Sequence, residues 1–213
     1  MPAVSCHEYL TDPSEIYRRS FNAIAAEANL ARIPDDLRDV ALRIVHACGE
    51  PAAADELAWS DGAGMEGRAA LATGMPVLTD AGMVAQGIIR DRLPATNRVI
   101  CTLTLGSVSG NAIRNDTTRS AAAVELWRPW LAGAVVAIGN APTALFRLLD
   151  GLASGWPKPA LILGFPVGYV GAAEAKEALA NTLGVPFVTL RGRRGGSAAA
   201  AAAVNALAGN DGE

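Results

Sequence analysis

Lysine, histidine and cysteine are all scarce in this chain, and each shortage narrows what it can do. Lys158 and Lys176 are the only lysines among 18 basic residues, the rest being arginine. GC-rich coding produces such a bias without any function. The functional reading is a carboxylate-rich or phosphate-rich ligand, which guanidinium groups grip in a fixed bidentate geometry. Cys6, Cys48 and Cys101 form no CxxC pair. They fit neither a disulfide framework nor a zinc site and read as buried or idle thiols. No segment reaches the ~18 uninterrupted apolar residues of a membrane span. The N-terminus lacks the charged and apolar blocks of a signal peptide, so a cytoplasmic protein is expected. A formal net charge of -3 argues against a nucleic-acid binder, which is usually basic. Catalytic signatures are missing too: there is no Walker A loop, HExxH, GxSxG or paired-carboxylate motif.

What is present is 51% apolar sequence over 213 residues, enough for one α/β domain with a large core. The N-terminal part, about residues 12–74, reads as helical. Asp12-Pro13-Ser14-Glu15 has the form of an N-terminal cap for a first helix running to about Asn29. Ile16, Ser20, Ala23, Ile24 and Ala28 follow helical spacing, so Ser20 interrupts an apolar stripe. Its hydroxyl either bonds back to the carbonyl one turn earlier or points into a ligand pocket. Pro34-Asp35-Asp36 opens a second helix, with Leu37, Val40, Ala41, Ile44 and Cys48 as its apolar stripe and Gly49 as its stop.

That second helix carries His46, one of two histidines; the other, His7, lies in an N-terminal segment expected to fray. On a wheel of about 100° per residue, His46 falls nearly opposite the apolar stripe, with Arg43 beside it on the polar face. The last turn of a helix carries partial negative charge, which favours a protonated imidazole. His46 is therefore either a solvated surface histidine or the leading candidate for proton chemistry near neutral pH.

From about 75 to 208 the pattern changes to five short apolar runs, 76–80, 98–102, 134–139, 160–164 and 185–191. Helical stretches near 81–90, 117–131, 142–152, 170–183 and 197–207 separate or follow them. This alternation predicts a doubly wound parallel sheet, buried on both faces, in a three-layer α/β/α arrangement. Ligands then sit beyond the carboxyl ends of the strands. Asp80 there reads as an N-cap of the next helix, and Gly139-Asn140-Ala141-Pro142-Thr143 as a cap in which Asn140 satisfies helix N–H groups. The loop from Arg191 to Ser197 is divided between a solvated basic turn and an anion site. The letters Gly62-Ala63-Gly64-Met65-Glu66-Gly67 match GxGxxG but have no convincing strand before them, so they read as a loop entering a short helix, without a nucleotide cofactor.

Taken together, a series of short motifs resembles the precorrin-8X methylmutase family. They are Ile16-Tyr17-Arg18-Arg19-Ser20-Phe21, Val45-His46-Ala47-Cys48-Gly49, Thr79-Asp80-Ala81-Gly82-Met83-Val84 and Thr118-Arg119-Ser120-Ala121-Ala122. Gly139-Asn140-Ala141-Pro142-Thr143, Gly164-Phe165-Pro166-Val167-Gly168-Tyr169 and Arg191-Gly192-Arg193 continue the series in family order. The resemblance implies a flavodoxin-like five-stranded parallel sheet with additional N-terminal helices, and a homodimer. It implies an isomerase that moves a methyl group from C-11 to C-12 of the tetrapyrrole precorrin-8X to give hydrobyrinate, without cofactor or metal. His46 matches the family's proton donor and acceptor, Ser20 and Arg43 match substrate contacts, and Arg119 matches a further arginine near the pocket. For these to meet, the first two helices must fold back over the strand ends. The same migration on cobalt-precorrin-8, or non-catalytic binding of a corrin or another anionic ligand, are the alternatives.

Overall fold

Both faces of a central sheet are covered by side chains that alternate along each strand. The computed structural model describes residues 7, 9–182 and 184–209; Cys6 lies outside them. The chain begins with helix α1 (Pro13–Glu27) and helix α2 (Arg38–Cys48), then a short helix α3 (Ala53–Glu56) and strand β1 (Leu57–Trp59). Helix α4 (Ala63–Ala72), β2 (Val77–Thr79), α5 (Gly82–Gly87), β3 (Val99–Cys101), α6 (Gly106–Arg114) and α7 (Arg119–Glu125) follow. The remainder alternates as β4 (Val135–Ile138), α8 (Pro142–Ala153), β5 (Leu161–Gly164), α9 (Ala172–Ala180), β6 (Phe187–Leu190) and α10 (Ser197–Ala208).

The sheet order is β1-β6-β5-β4-β2-β3. The five expected strands are β2 to β6, all parallel, in the order of a flavodoxin-like fold. A sixth strand was not expected: β1 pairs antiparallel with β6, with Leu57 opposite Leu190. The part read as purely helical therefore contributes one edge strand. It is three residues long and bonded to a single neighbour, so its apolar signal is too short to separate from the helices around it.

Alternation along the strands feeds two cores. Val77, Val135, Ala137, Leu161, Leu163 and Val188 face one layer with α2, α4, α5 and α10. Leu78, Val136, Ile138, Ile162 and Phe187 face the other, with α8, α9 and Trp127. On the first side α10 packs on β4 and β5, α2 packs along α10, and α1 packs on α2. The alanines of α10 make this stacking close, since Ala199, Ala200, Ala201 and Ala203 are all buried. No described helix is long and apolar enough to cross a membrane.

Local chemistry anchors the two N-terminal helices. Asp12 Oδ1 accepts from Ser14 N and Glu15 N at 2.9 and 3.2 Å, capping α1 as expected. Gly49, at φ 65°, ends α2 in the left-handed conformation and donates to Val45 O. The buried face of α2 is Val40, Ala41, Ile44 and Val45; Cys48 is exposed, overhanging a groove toward the start of α10 rather than completing the stripe. Between the helices, Arg32 donates to the carbonyls of Ala54, Asp55 and Leu57 and lies 4.7 Å from the Trp59 ring centroid. That bond set ties the α1–α2 connection to β1.

The GxGxxG letters are explained by packing. A strand does precede them, but it is the antiparallel edge strand β1, not the opening strand of a parallel βαβ unit. Gly62, at φ 72°, starts α4, and Asp36 Oδ2 accepts from Gly64 N at 3.0 Å. A Cβ on Gly64 would stand 2.2 Å from Asp36 O, and one on Gly67 2.6 Å from a Leu161 methyl. Because the obstacle at Gly64 is backbone, Gly64→Ala is expected to lower stability by about 1–3 kcal/mol. Its urea midpoint measures this, and an unchanged midpoint would mean that α4 does not need that approach.

Candidate functional site

The C-terminal turn of α2 arrives at the carboxyl ends of the parallel strands. Ala47 and Cys48 share one groove with Val167 of the loop after β5 and with Arg194 and Gly195 of the loop after β6. The predicted fold-back of the helices over the strand ends is thus present on this side of the sheet. His46 is exposed and lies in the last turn of α2. It lines a groove of about 230 Å³ with Ser20, Ala23, Glu27 and Glu50. Glu50 also borders the first groove, so the two lie side by side.

Ser20 and His46 are therefore brought together, one from each helix. Ser20 Oγ makes no hydrogen bond to a backbone carbonyl among the described residues, so it is the pocket-facing reading of Ser20 that the geometry carries. Arg43 lines an adjoining groove of about 380 Å³ with Ser14, Tyr17, Arg18, Phe21 and Asp39. Burial pulls the Arg43 guanidinium below its ordinary pKa, Tyr17 opposes this, and the like charge of Arg92 adds to it. A partly desolvated guanidinium near a second cation is a setting that an anionic group relieves.

Rings fill the wall between the two grooves. Tyr17 and Phe21 stack at 4.3 Å between centroids with 26° between planes. Phe21 then stacks on His46 at 5.4 Å and 25°. The Arg43 guanidinium carbon lies 5.7 Å from the Tyr17 centroid and 5.9 Å from that of Phe21. Neither aromatic stood out as a site residue in the sequence. The available signal was their i,i+4 spacing on the same helix, with Phe21 next to Ser20. Arg119 is placed elsewhere. It begins α7, on the other side of the sheet, is exposed, donates to Leu103 O at 3.3 Å and lines neither groove.

The strand-end loops are held by buried polar groups. Asp80 is 2% exposed, and its carboxylate accepts from Gly139 N, Asn140 N and Ala141 N at 2.9, 3.0 and 2.8 Å. It does not cap α5, whose N-cap is Ala81, and Asn140 does not cap α8, whose N-cap is Ala141. A carboxylate from the neighbouring strand end takes the loop N–H groups instead. Burial raises the Asp80 pKa and those three bonds oppose the rise. The basic loop after β6 is tied to acids: Arg194 lies 3.5 Å from Glu50 and 3.4 Å from Glu56. Lys176, buried in α9, donates to the Arg194 carbonyl. Partial burial raises the Cys48 thiol pKa, which keeps it protonated at neutral pH. No group of three or more His, Cys, Asp or Glu among the described residues is arranged to hold a metal ion.

Comparison with known proteins adds to this geometry. Residues 15–210 match the sequence model of the precorrin-8X methylmutase family. The chain is 62% identical to the precorrin-8X methylmutase of Pseudomonas aeruginosa over 202 residues, 94% of this chain and 97% of that protein. It is 55% identical to the precorrin-8X methylmutase of a Sinorhizobium species, across 95% of this chain and 97% of the relative. The cobalt-precorrin-8 methylmutase of Priestia megaterium is 35% identical, across 92% and 87%. Among solved structures, the precorrin-8X methylmutase of Thermus thermophilus superposes with a TM-score of 0.83 at 36% identity, covering 92% of this chain and 94% of that one.

Burial pushes the Lys176 pKa down to about 8, with Glu56 opposing. Between about 8 and its ordinary 10.5, the folded protein has released this proton while the unfolded chain still holds it. Stability therefore rises with pH across that window. Lys176→Met is expected to remove a rise of up to about 3 kcal/mol. Paired denaturant titrations of the two proteins at pH 7 and pH 10 measure the difference; parallel behaviour would show that Lys176 is not desolvated.

Proposed function

Since the chain belongs to the precorrin-8X methylmutase family of cobalamin biosynthesis, we propose that it moves a methyl group from C-11 to C-12 of precorrin-8X, with His46 as proton donor and acceptor. The observation that carries this reading is the placement of His46. It is an exposed imidazole on a helix C-terminus, sharing a groove with Ser20 and separated from Arg43 by aromatic rings.

In the proposed step, the bond from the methyl group to C-11 breaks as the bond to C-12 forms, a [1,5]-sigmatropic shift along the conjugated ring. No electrons are gained or lost and no nucleophile is required. A proton or hydrogen bond from His46 at the ring-C nitrogen biases the macrocycle toward the migrating form, and His46 recovers the proton as product forms. Such general acid catalysis is worth ~10²–10⁴-fold. The substrate is a polycarboxylate, which Arg43 answers with charge-assisted hydrogen bonds, while Tyr17 offers apolar surface to the ring. Ser20 donates or accepts at the same wall. Arg119 meets a more distant carboxylate of the substrate.

The metal-free substrate is favoured over cobalt-precorrin-8 because the relatives at 62% and 55% identity are named for precorrin-8X. The cobalt-precorrin-8 methylmutase of Priestia megaterium is 35% identical across 92% of this chain. A homodimer accords with α1, which buries no residue fully and leaves Ile16 and Tyr17 43% and 37% exposed.

The deciding experiment is incubation of the purified protein with precorrin-8X, and separately with cobalt-precorrin-8, followed by absorption spectroscopy. Appearance of the hydrobyrinate spectrum is expected with the first; product only from the cobalt substrate would reverse the assignment. His46→Ala is expected to lower turnover ~10²–10⁴-fold with the fold retained, because the side chain is exposed. Near-wild-type migration in that variant would end the proton role. Arg43→Ala is expected to weaken hydrobyrinate binding ~10–100-fold, the loss of a charged hydrogen bond. A titration showing unchanged affinity would remove Arg43 from the contacts.

A further inference from the structure

A catalytic imidazole is ordinarily oriented by a hydrogen bond from one ring nitrogen to a carboxylate or carbonyl. His46 makes no such side-chain bond among the described residues; its side-chain contacts are with rings. Phe21 meets it face to face at 5.4 Å and 25°, and Tyr17 meets it tilted, at 6.5 Å and 52°. Phe21 is itself held by Tyr17 at 4.3 Å and by the Arg43 guanidinium at 5.9 Å. Offset stacking and cation–ring attraction have preferred geometries, so this layer restricts the plane of the imidazole. It engages the ring face and leaves both nitrogens, which lie on the ring edge, available.

We propose that Phe21 is a positioning residue for His46: its ring fixes the imidazole plane in place of a hydrogen-bonding partner, so that an edge nitrogen meets the substrate. This rests on the proton role assigned to His46. It accounts for a feature the role leaves unexplained, a proton donor with no carboxylate or carbonyl bonded to it among the described residues. It also gives Tyr17 and Arg43 a second task, since both contact the Phe21 ring as well. A free nitrogen on either side of the imidazole suits a group that must both deliver and recover a proton, because no fixed acceptor commits it to one tautomer.

The test uses the full chain with Phe21→Leu, Phe21→Tyr and His46→Ala, in steady-state kinetics and in proton–carbon NMR of the imidazole. With only two histidines in the chain, the His46 ring signals are assigned by their loss in His46→Ala. In the unsubstituted protein the His46 ring protons are expected upfield, under the ring current of Phe21. Phe21→Leu is expected to move them back and to lower kcat by ~10-fold or more with KM within about twofold, misplacement by ~1 Å being worth up to ~10²-fold. Phe21→Tyr retains the ring and is expected to retain both the shift and kcat, which separates positioning from loss of fold. An unchanged kcat in Phe21→Leu would overturn the proposal. So would a raised KM at unchanged kcat, which would make Phe21 a substrate contact, or equal losses in both variants. Full turnover in His46→Ala would instead sink the proton role, whatever the ring shifts show.

Discussion

The site rests on how closely helices approach α10. Its buried face is mostly alanine, so neighbouring backbones come within the reach of a single methyl group. A Cβ on Gly87 would stand 2.7 Å from the Ala201 methyl, and one on Gly139 would stand 2.7 Å from Ser197 Cα. α5 and the loop after β4 therefore press against one side of α10 while α2 lies along it. Asn205 locks this seam by accepting from Ile89 N at 2.8 Å and donating to Gly87 O at 2.9 Å. α2 makes few direct contacts with the sheet; its position, and that of His46, is inherited from α10. Larger side chains along that face would lift α2 and carry the imidazole away from the strand ends.

Two kinds of force divide the work at the strand ends. The loops are held by buried polar bonds, above all the three N–H groups gathered by Asp80 and the Lys176 contact to the Arg194 carbonyl. Such bonds are directional and costly to break where water is excluded. The helices carrying Ser20, Arg43 and His46 are instead joined by rings, alkyl packing and one guanidinium. A macrocycle is broad and flat with charges on its rim. A wall that is aromatic in the middle and cationic at the side matches that distribution, whereas a network of paired carboxylates would repel the rim.

What was legible in the sequence follows from how locally each feature is determined. β2, β4, β5 and β6 are buried on both faces, which writes a continuous apolar run that needs no partner to be recognised. α1 and α2 carry their own punctuation, Asp12 at one end and Gly49 at the other. By contrast α6, with Gly106, Ser107, Ser109 and Gly110, has weak helical preference; it forms because Val108 and Ala112 bury against Ala122 and Ala123. His46 and Arg43 were legible because scarcity and helical spacing are properties of one segment. Asp80 was misread because its partners stand about 60 residues away, and no local pattern announces a clamp across strand ends. Phe21 escaped for the same reason: its contact with His46 exists only once α1 lies on α2.

The dependence of α2 on α10 also orders events in time. α2 is made early and α10 last of all the described elements, so the surface on which the His46 helix rests does not exist until α10 has been made. β1 likewise waits for β6. A nascent chain can assemble β2 to β5 with their helices while the N-terminal segments remain unsupported, and a product stopped before α10 holds most of the sheet without a formed site. Formation of the candidate site is thereby coupled to the synthesis of α10, and a chain stopped short of it lacks the surface on which α2 rests.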